Sequence, residues 1–158
     1  MVTLHIGRFK AAETITTCDG CRRTHRSEEL ARLVPSGCNF GYDILVYVGR
    51  ALFPRHRRSR EICDELATHN VHISPGEVEY LAKKFIVYLS IAHRQAAPTI
   101  KQAMRANGGY ILHLDATCGG KEPLLMSSLD SISQIVLGNV KLPSEKAETI
   151  IPFLEQIK

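Results

Sequence analysis

The sequence has no apolar run long enough to span a bilayer. Its longest such stretch, around Ile44–Phe53, is interrupted by Arg50 and falls well short of the roughly 20 residues required, so no membrane partner is expected. An apolar signal core is also missing from the opening MVTLHIGRFK, which places the five cysteines in a reducing cytoplasm as thiols or metal ligands rather than disulfides. Internal repeats and low-complexity tracts are absent, which excludes solenoid and fibrous architectures. What remains is a chain of 158 residues, 44% hydrophobic, with room for one mid-sized domain or two small ones.

The net charge is only +4, but it is unevenly spread. Residues 1–60 hold 11 of the 20 Lys and Arg and 5 of the 16 Asp and Glu, so the first third is positive and the remainder slightly negative. Clustered cations neutralise phosphates and release counterions, which gives sequence-independent affinity for nucleic acid. A solvated basic surface with no partner would carry the same charge pattern.

Local signals divide the chain into segments 1–40, 41–107 and 108–158, and the fold class they predict is α+β. The first segment lacks long periodic runs and reads as a small irregular module with three cysteines. Tyr42–Ala106 reads as helical, with breaks near Pro54 and at Asn70–Ser74. Gly108-Gly109 ends the helical part, because two residues free to take positive φ make a natural stop. Apolar, β-rich runs follow at Tyr110–Thr117, Leu124–Leu129 and Ile132–Leu142, joined at Gly119-Gly120 and Asp130-Ser131, which predicts an antiparallel meander. A helix capped by Ser144 is then expected to cover the sheet with Ala147, Ile150, Ile151, Leu154 and Ile157, and Pro152 to kink it.

Ser59–His69 and the helix starting at Ser74-Pro75-Gly76-Glu77 form a helix pair joined by Asn70–Ile73. A Ser cap, Pro at the first helical position and Glu three residues after the cap mark a helix start. Val78, Leu81, Ala82, Phe85 and Leu89 should face inward, with Ile73 packed beneath. This is the layout of a helix-turn-helix. Its second helix offers Glu79, Tyr80, Lys83 and Lys84, of which Tyr80, Lys83 and Lys84 suit DNA; Glu77 and Glu79 face phosphates poorly. Arg55, Arg57, Arg58 and Arg60 precede the first helix and can clamp a DNA backbone. Any helical bundle contains capped helix pairs, so the basic run is what points to DNA.

Cys18 and Cys21 have the spacing that lets two thiolates reach one tetrahedral Zn²⁺, with Cys38, His25 and His5 as candidates to complete the set. Free thiols and a redox pair are the alternatives. Cys63 and Cys118 read as small core residues. In the first predicted strand, Asp115 shares a face with Ile111 and His113. A carboxylate on so apolar a strand needs compensation, from a divalent cation or from the N–H groups of the following turn.

Together, GGYILHLDAT at 108–117, LDSISQIVL at 129–137, and KLPSEK at 141–146 followed by a helix ending IPFLEQIK resemble the DDE transposases of bacterial and archaeal insertion sequences. The resemblance covers residues 108–158; upstream, the cysteine knuckle and helix pair match the zinc-ribbon and DNA-binding front end of such proteins less specifically. It implies a ribonuclease H-like fold that opens with three antiparallel strands and a helix, and a prokaryotic, nucleoid-associated protein. Asp115 corresponds to the first of three catalytic carboxylates that hold two Mg²⁺ ions for phosphodiester cleavage and strand transfer. The family commonly has Gly where Ala116 stands. Its second Asp and final Glu lie on later elements that this chain does not contain, so a DNA-binding fragment inactive alone is expected. The resemblance also allows a homo-oligomer or a complementing transposase chain as partner. Two other readings are a helix-turn-helix regulator with an α/β dimerisation tail and a zinc-ribbon adaptor for proteins.

Overall fold

The computed structural model describes residues 1–118, 120 and 122–158, and divides into two units, Met1–Ile91 and Ala92–Lys158. The architecture is mixed α+β: short antiparallel ladders and helices in the first unit, a three-stranded sheet with helices in the second.

The first unit opens with a two-residue ladder of β1 (Val2–Thr3) and β2 (Gly7–Arg8), then a second of β3 (Thr16–Thr17) and β4 (Thr24–His25). Ser27 caps the short α1 (Glu28–Leu33) by accepting from Leu30 N. Three longer helices follow: α2 (Tyr42–Leu52), α3 (Ser59–Thr68) and α4 (Pro75–Ala106), the last running on into the second unit. Ile44, Leu45 and Val48 of α2, Ile62 and Leu66 of α3, and Val78 and Leu81 of α4 build one core, joined by Val34, Cys38 and Phe40 from the irregular segment. Asp43, in the first turn of α2, fastens the β1–β2 turn to this core: one carboxylate oxygen accepts from Leu4 N at 2.8 Å and His5 N at 3.3 Å.

Gly49 lets α2 approach α4. A Cβ there would fall inside the van der Waals envelope of the Phe85 ring, which also stacks on Phe53 one turn further along α2 at 6.0 Å between centroids. One expected inward position fails: Leu89 is exposed, and Tyr88 packs against the core in its place, edge-on to Tyr42.

In the second unit, Gly108 and Gly109 take φ of +83° and +118° and end α4. The sheet is the antiparallel meander β5 (Leu112–Thr117), β6 (Leu124–Asp130) and β7 (Val136–Leu142). The expected Gly119-Gly120 connection lies partly outside the described residues. The third strand starts four residues later than the apolar pattern suggests. Asp130 is the cause: its carboxylate accepts from Ile132 N, Ser133 N and Ser133 Oγ, and its carbonyl accepts from Gln134 N, folding residues 131–134 into a turn with Gln134 at φ +57°.

The helix α5 (Ala147–Ile157) covers the sheet with Ile150, Leu154 and Ile157 of the expected stripe, but its cap is not Ser144 and two stripe positions fail. Lys146 occupies the cap position, while the Thr149 hydroxyl lies 2.8 Å from the carbonyl oxygens of Ser144 and Lys146. Phe153 and Ile157 are the buried residues, packed with Met126 and Leu142; Ala147 and Ile151 face outward. Phe153 wins the inward position because Gly138 on β7 leaves room for its ring. Helical structure continues through Pro152.

Candidate nucleic-acid interface

The basic segment is set by local structure on both sides. The α2 helix ends near Phe53, His56 takes φ +52°, and α3 begins after Arg58, whose N–H is accepted by Glu61 Oε2 at 2.9 Å. Arg55, Arg57, Arg58 and Arg60 are all exposed. They are not equivalent. Arg57 Nε lies 3.4 Å from Glu65 Oε1, and Arg55 sits over the Tyr47 ring at 5.4 Å. Glu65 also accepts from the Tyr47 hydroxyl at 2.6 Å, and partial burial, then that carboxylate, push the phenol pKa up. Arg58 and Arg60 have no ion-pair partner among the described residues, so their charge is the most available.

The α3–α4 connection spans residues 69–74, with Asn70 at φ +60°, Val71 buried and Ile73 half-buried. It is longer than the three- to four-residue turn typical of helix-turn-helix units. Ser74 and Glu77 form the expected reciprocal cap: Ser74 N donates to Glu77 Oε2 at 2.8 Å, and Glu77 N to Ser74 Oγ at 3.3 Å. Glu79, Tyr80 and Lys83 are exposed and Lys84 is half-buried, its ammonium 5.3 Å from the Tyr80 ring centre. The neighbouring Tyr80 raises the Lys84 pKa.

Beside Arg55 lies a concavity of about 490 Å³ that includes His5, Tyr47, Arg50 and Asp43. Arg50 thus joins the basic surface although it is not part of the Arg55–Arg60 run. It is exposed on α2 one helical turn after Tyr47 and Val46, a helical-spacing signal that could have revealed it.

The cysteines divide differently. Cys18 and Cys21 are exposed in the β3–β4 turn, closed by Cys18 N donating to Arg23 O and Arg22 N to Cys18 O. Hydrogen bonds from the backbone and thiol of Cys21 lower the Cys18 pKa. Cys38 is buried in the apolar core, and among the described residues no group of three or more His, Cys, Asp or Glu is placed to hold an ion. The pair therefore offers two thiols to a metal, half of a closed site. Cys63 packs against the core, whereas Cys118 is exposed, contrary to its expected burial.

Asp115 is exposed on β5, opposite Ser127, which is itself opposite Asn139 on β7. This polar row lies on the face away from Met126 and α5. Asp130, by contrast, is 3% exposed and accepts four hydrogen bonds, which hold its carboxyl at about 2. It organises a turn rather than a cation site. Among the described residues no helix is long and apolar enough to cross a membrane.

No family model matches this chain, and no curated protein or solved structure matches it either.

Proposed function

We propose that this chain is the DNA-binding front portion of a DDE transposase, a zinc-ribbon-like knuckle and helix-turn-helix joined to the opening strands of a ribonuclease H-like domain. One observation carries the DNA-binding reading: exposed Arg55, Arg57 and Arg58, with Arg60 in the first turn of α3, lead into a helix pair packed on a common core, with Tyr80 and Lys83 exposed on the second helix. Arg58 and Arg60 contact phosphates, Arg55 and Arg57 contribute while leaning on Tyr47 and Glu65, and Lys83, Lys84 and Tyr80 extend the surface. Glu77 and Glu79 in the first turn of α4 oppose deep insertion of that end, so affinity comes chiefly from the backbone.

The three antiparallel strands in order β5-β6-β7, followed by a helix on one face, support the ribonuclease H-like part of the reading. In such enzymes Mg²⁺ activates the attacking oxygen and stabilises the leaving one. Asp115 offers one carboxylate with only Ser127 and Asn139 in its row, which does not fit a two-metal centre. The chain therefore binds DNA and does not cut it alone.

The test is fluorescence anisotropy of labelled duplex DNA at low salt. Arg58→Glu with Arg60→Glu should weaken binding more than about tenfold, since each reversal replaces attraction by repulsion at a phosphate. Unchanged affinity in that double variant, with the far-UV spectrum intact, would remove the reading.

A further inference from the structure

The outer edge of β5 carries information that DNA binding does not use. Among the described residues β5 pairs only with β6, leaving its other edge free. Ile111 O accepts from Ser131 N at 2.9 Å and Ile111 N donates to Asp130 Oδ1 at 3.0 Å, so odd-numbered backbone groups turn toward β6. Alternation then turns the N–H and C=O of Leu112, Leu114 and Ala116 to the open edge. Leu112 and Leu114 share a face with buried Met126 and Ser128, yet each is 37% exposed, because no strand flanks them. The strand LHLDAT contains no lysine or proline, and the sheet's one register shift lies at Ser128/Leu129 on the other side of β6, so the usual protections of an edge are missing.

We infer that this edge pairs with β5 of a second copy of the chain, antiparallel about a two-fold axis through Leu114. The strand is self-complementary in that register. Leu114 faces Leu114, Leu112 faces Ala116, and these residues carry the free backbone groups that would exchange hydrogen bonds. On the opposite face His113 of each copy stands against Asp115 of the other, twice by symmetry, in the non-hydrogen-bonded pairs where side chains come closest. Two-fold registers centred on Leu112 or Ala116 lose both His–Asp pairs. On the α5 side, an apolar groove of about 350 Å³ that includes Tyr110, Leu112, Ile151 and Leu154 runs beside the edge and receives the leucines of the second copy. Two three-stranded sheets become one continuous sheet, and the contact is isologous and closes on itself.

The inference concerns the second unit and stands whether or not the first binds DNA; it competes with the ribonuclease H-like reading, in which a further strand would take this same edge of β5. Sedimentation velocity of the full chain in EDTA, over a wide concentration range, tests it. A reversible dimer is expected. His113→Asp and Asp115→His should each weaken it about tenfold or more, because two favourable pairs become two like pairs, and the combined swap should restore it. Leu114→Pro should abolish the dimer while leaving the β5–β6 ladder intact, since the lost N–H faces the open edge; the far-UV spectrum and melting curve check the fold. A monomer at every concentration, a combined swap no tighter than the single changes, or a dimer that survives Leu114→Pro would each overturn the pairing.

Discussion

Replacing Gly49 with alanine tests the packing that holds the basic loop in place. At an exposed position in α2 the change would stabilise by about 1 kcal/mol, since Ala is the better helix former. Here the new methyl would overlap the Phe85 ring, including Cγ, the ring atom nearest its backbone. The ring cannot swing aside freely, because Phe53 stacks on it with planes 18° apart. Relief requires α2 and α4 to separate, and overpacking of this kind costs about 1–3 kcal/mol. Overlap with the fixed end of the ring favours the upper part of that range, so a net destabilisation of about 1–2 kcal/mol is expected. Urea unfolding followed by far-UV circular dichroism suits a chain without tryptophan. Adding Phe85→Ala should make the two changes non-additive, with a coupling of about 1 kcal/mol or more in the relieving direction. A Gly49→Ala chain as stable as the parent, or more so, would show that α2 does not meet α4 through this glycine.

Further outcomes follow from single sites. Arg50→Ala should weaken DNA binding uniformly across duplex sequences and reduce the salt slope by about one, the signature of a phosphate contact, in anisotropy titrations. Asp130 has a folded pKa of about 2 against an ordinary 3.8, so its contribution is complete above about pH 4 and lost as pH falls through 2; Asp130→Asn should flatten that part of the stability curve. Incubation with Mg²⁺ and supercoiled or linear DNA should give no cleavage, and cleavage that Asp115→Asn abolishes would contradict the single-carboxylate argument.

The helical part of the fold was legible because its signals are local. Pro54, the Ser74–Glu77 cap and Gly108-Gly109 act within a few residues, and α2, α3 and α4 begin and end close to where those residues require. The late start of β7 was not legible, since Ile132 and Ile135 look like strand while the carboxylate of Asp130 captures the backbone between them. Helical spacing allows either Phe153 or Ile151 to face inward, and only the space above Gly138 on another element decides for Phe153. At the candidate interface the arginine run was evident, but its inequality was not: Glu65 and Tyr47, distant in sequence, engage Arg57 and Arg55 and leave Arg58 and Arg60 free of ion pairs among the described residues.

The most direct test of the central claim is the salt dependence of duplex binding by the unaltered chain, followed beside Arg58→Ala with Arg60→Ala. The account requires measurable affinity at low salt and a linear fall of log K with log salt concentration. The paired alanine variant should have a slope shallower by about two. Affinity absent at low salt, or a slope that the loss of both arginines leaves unchanged, would contradict it.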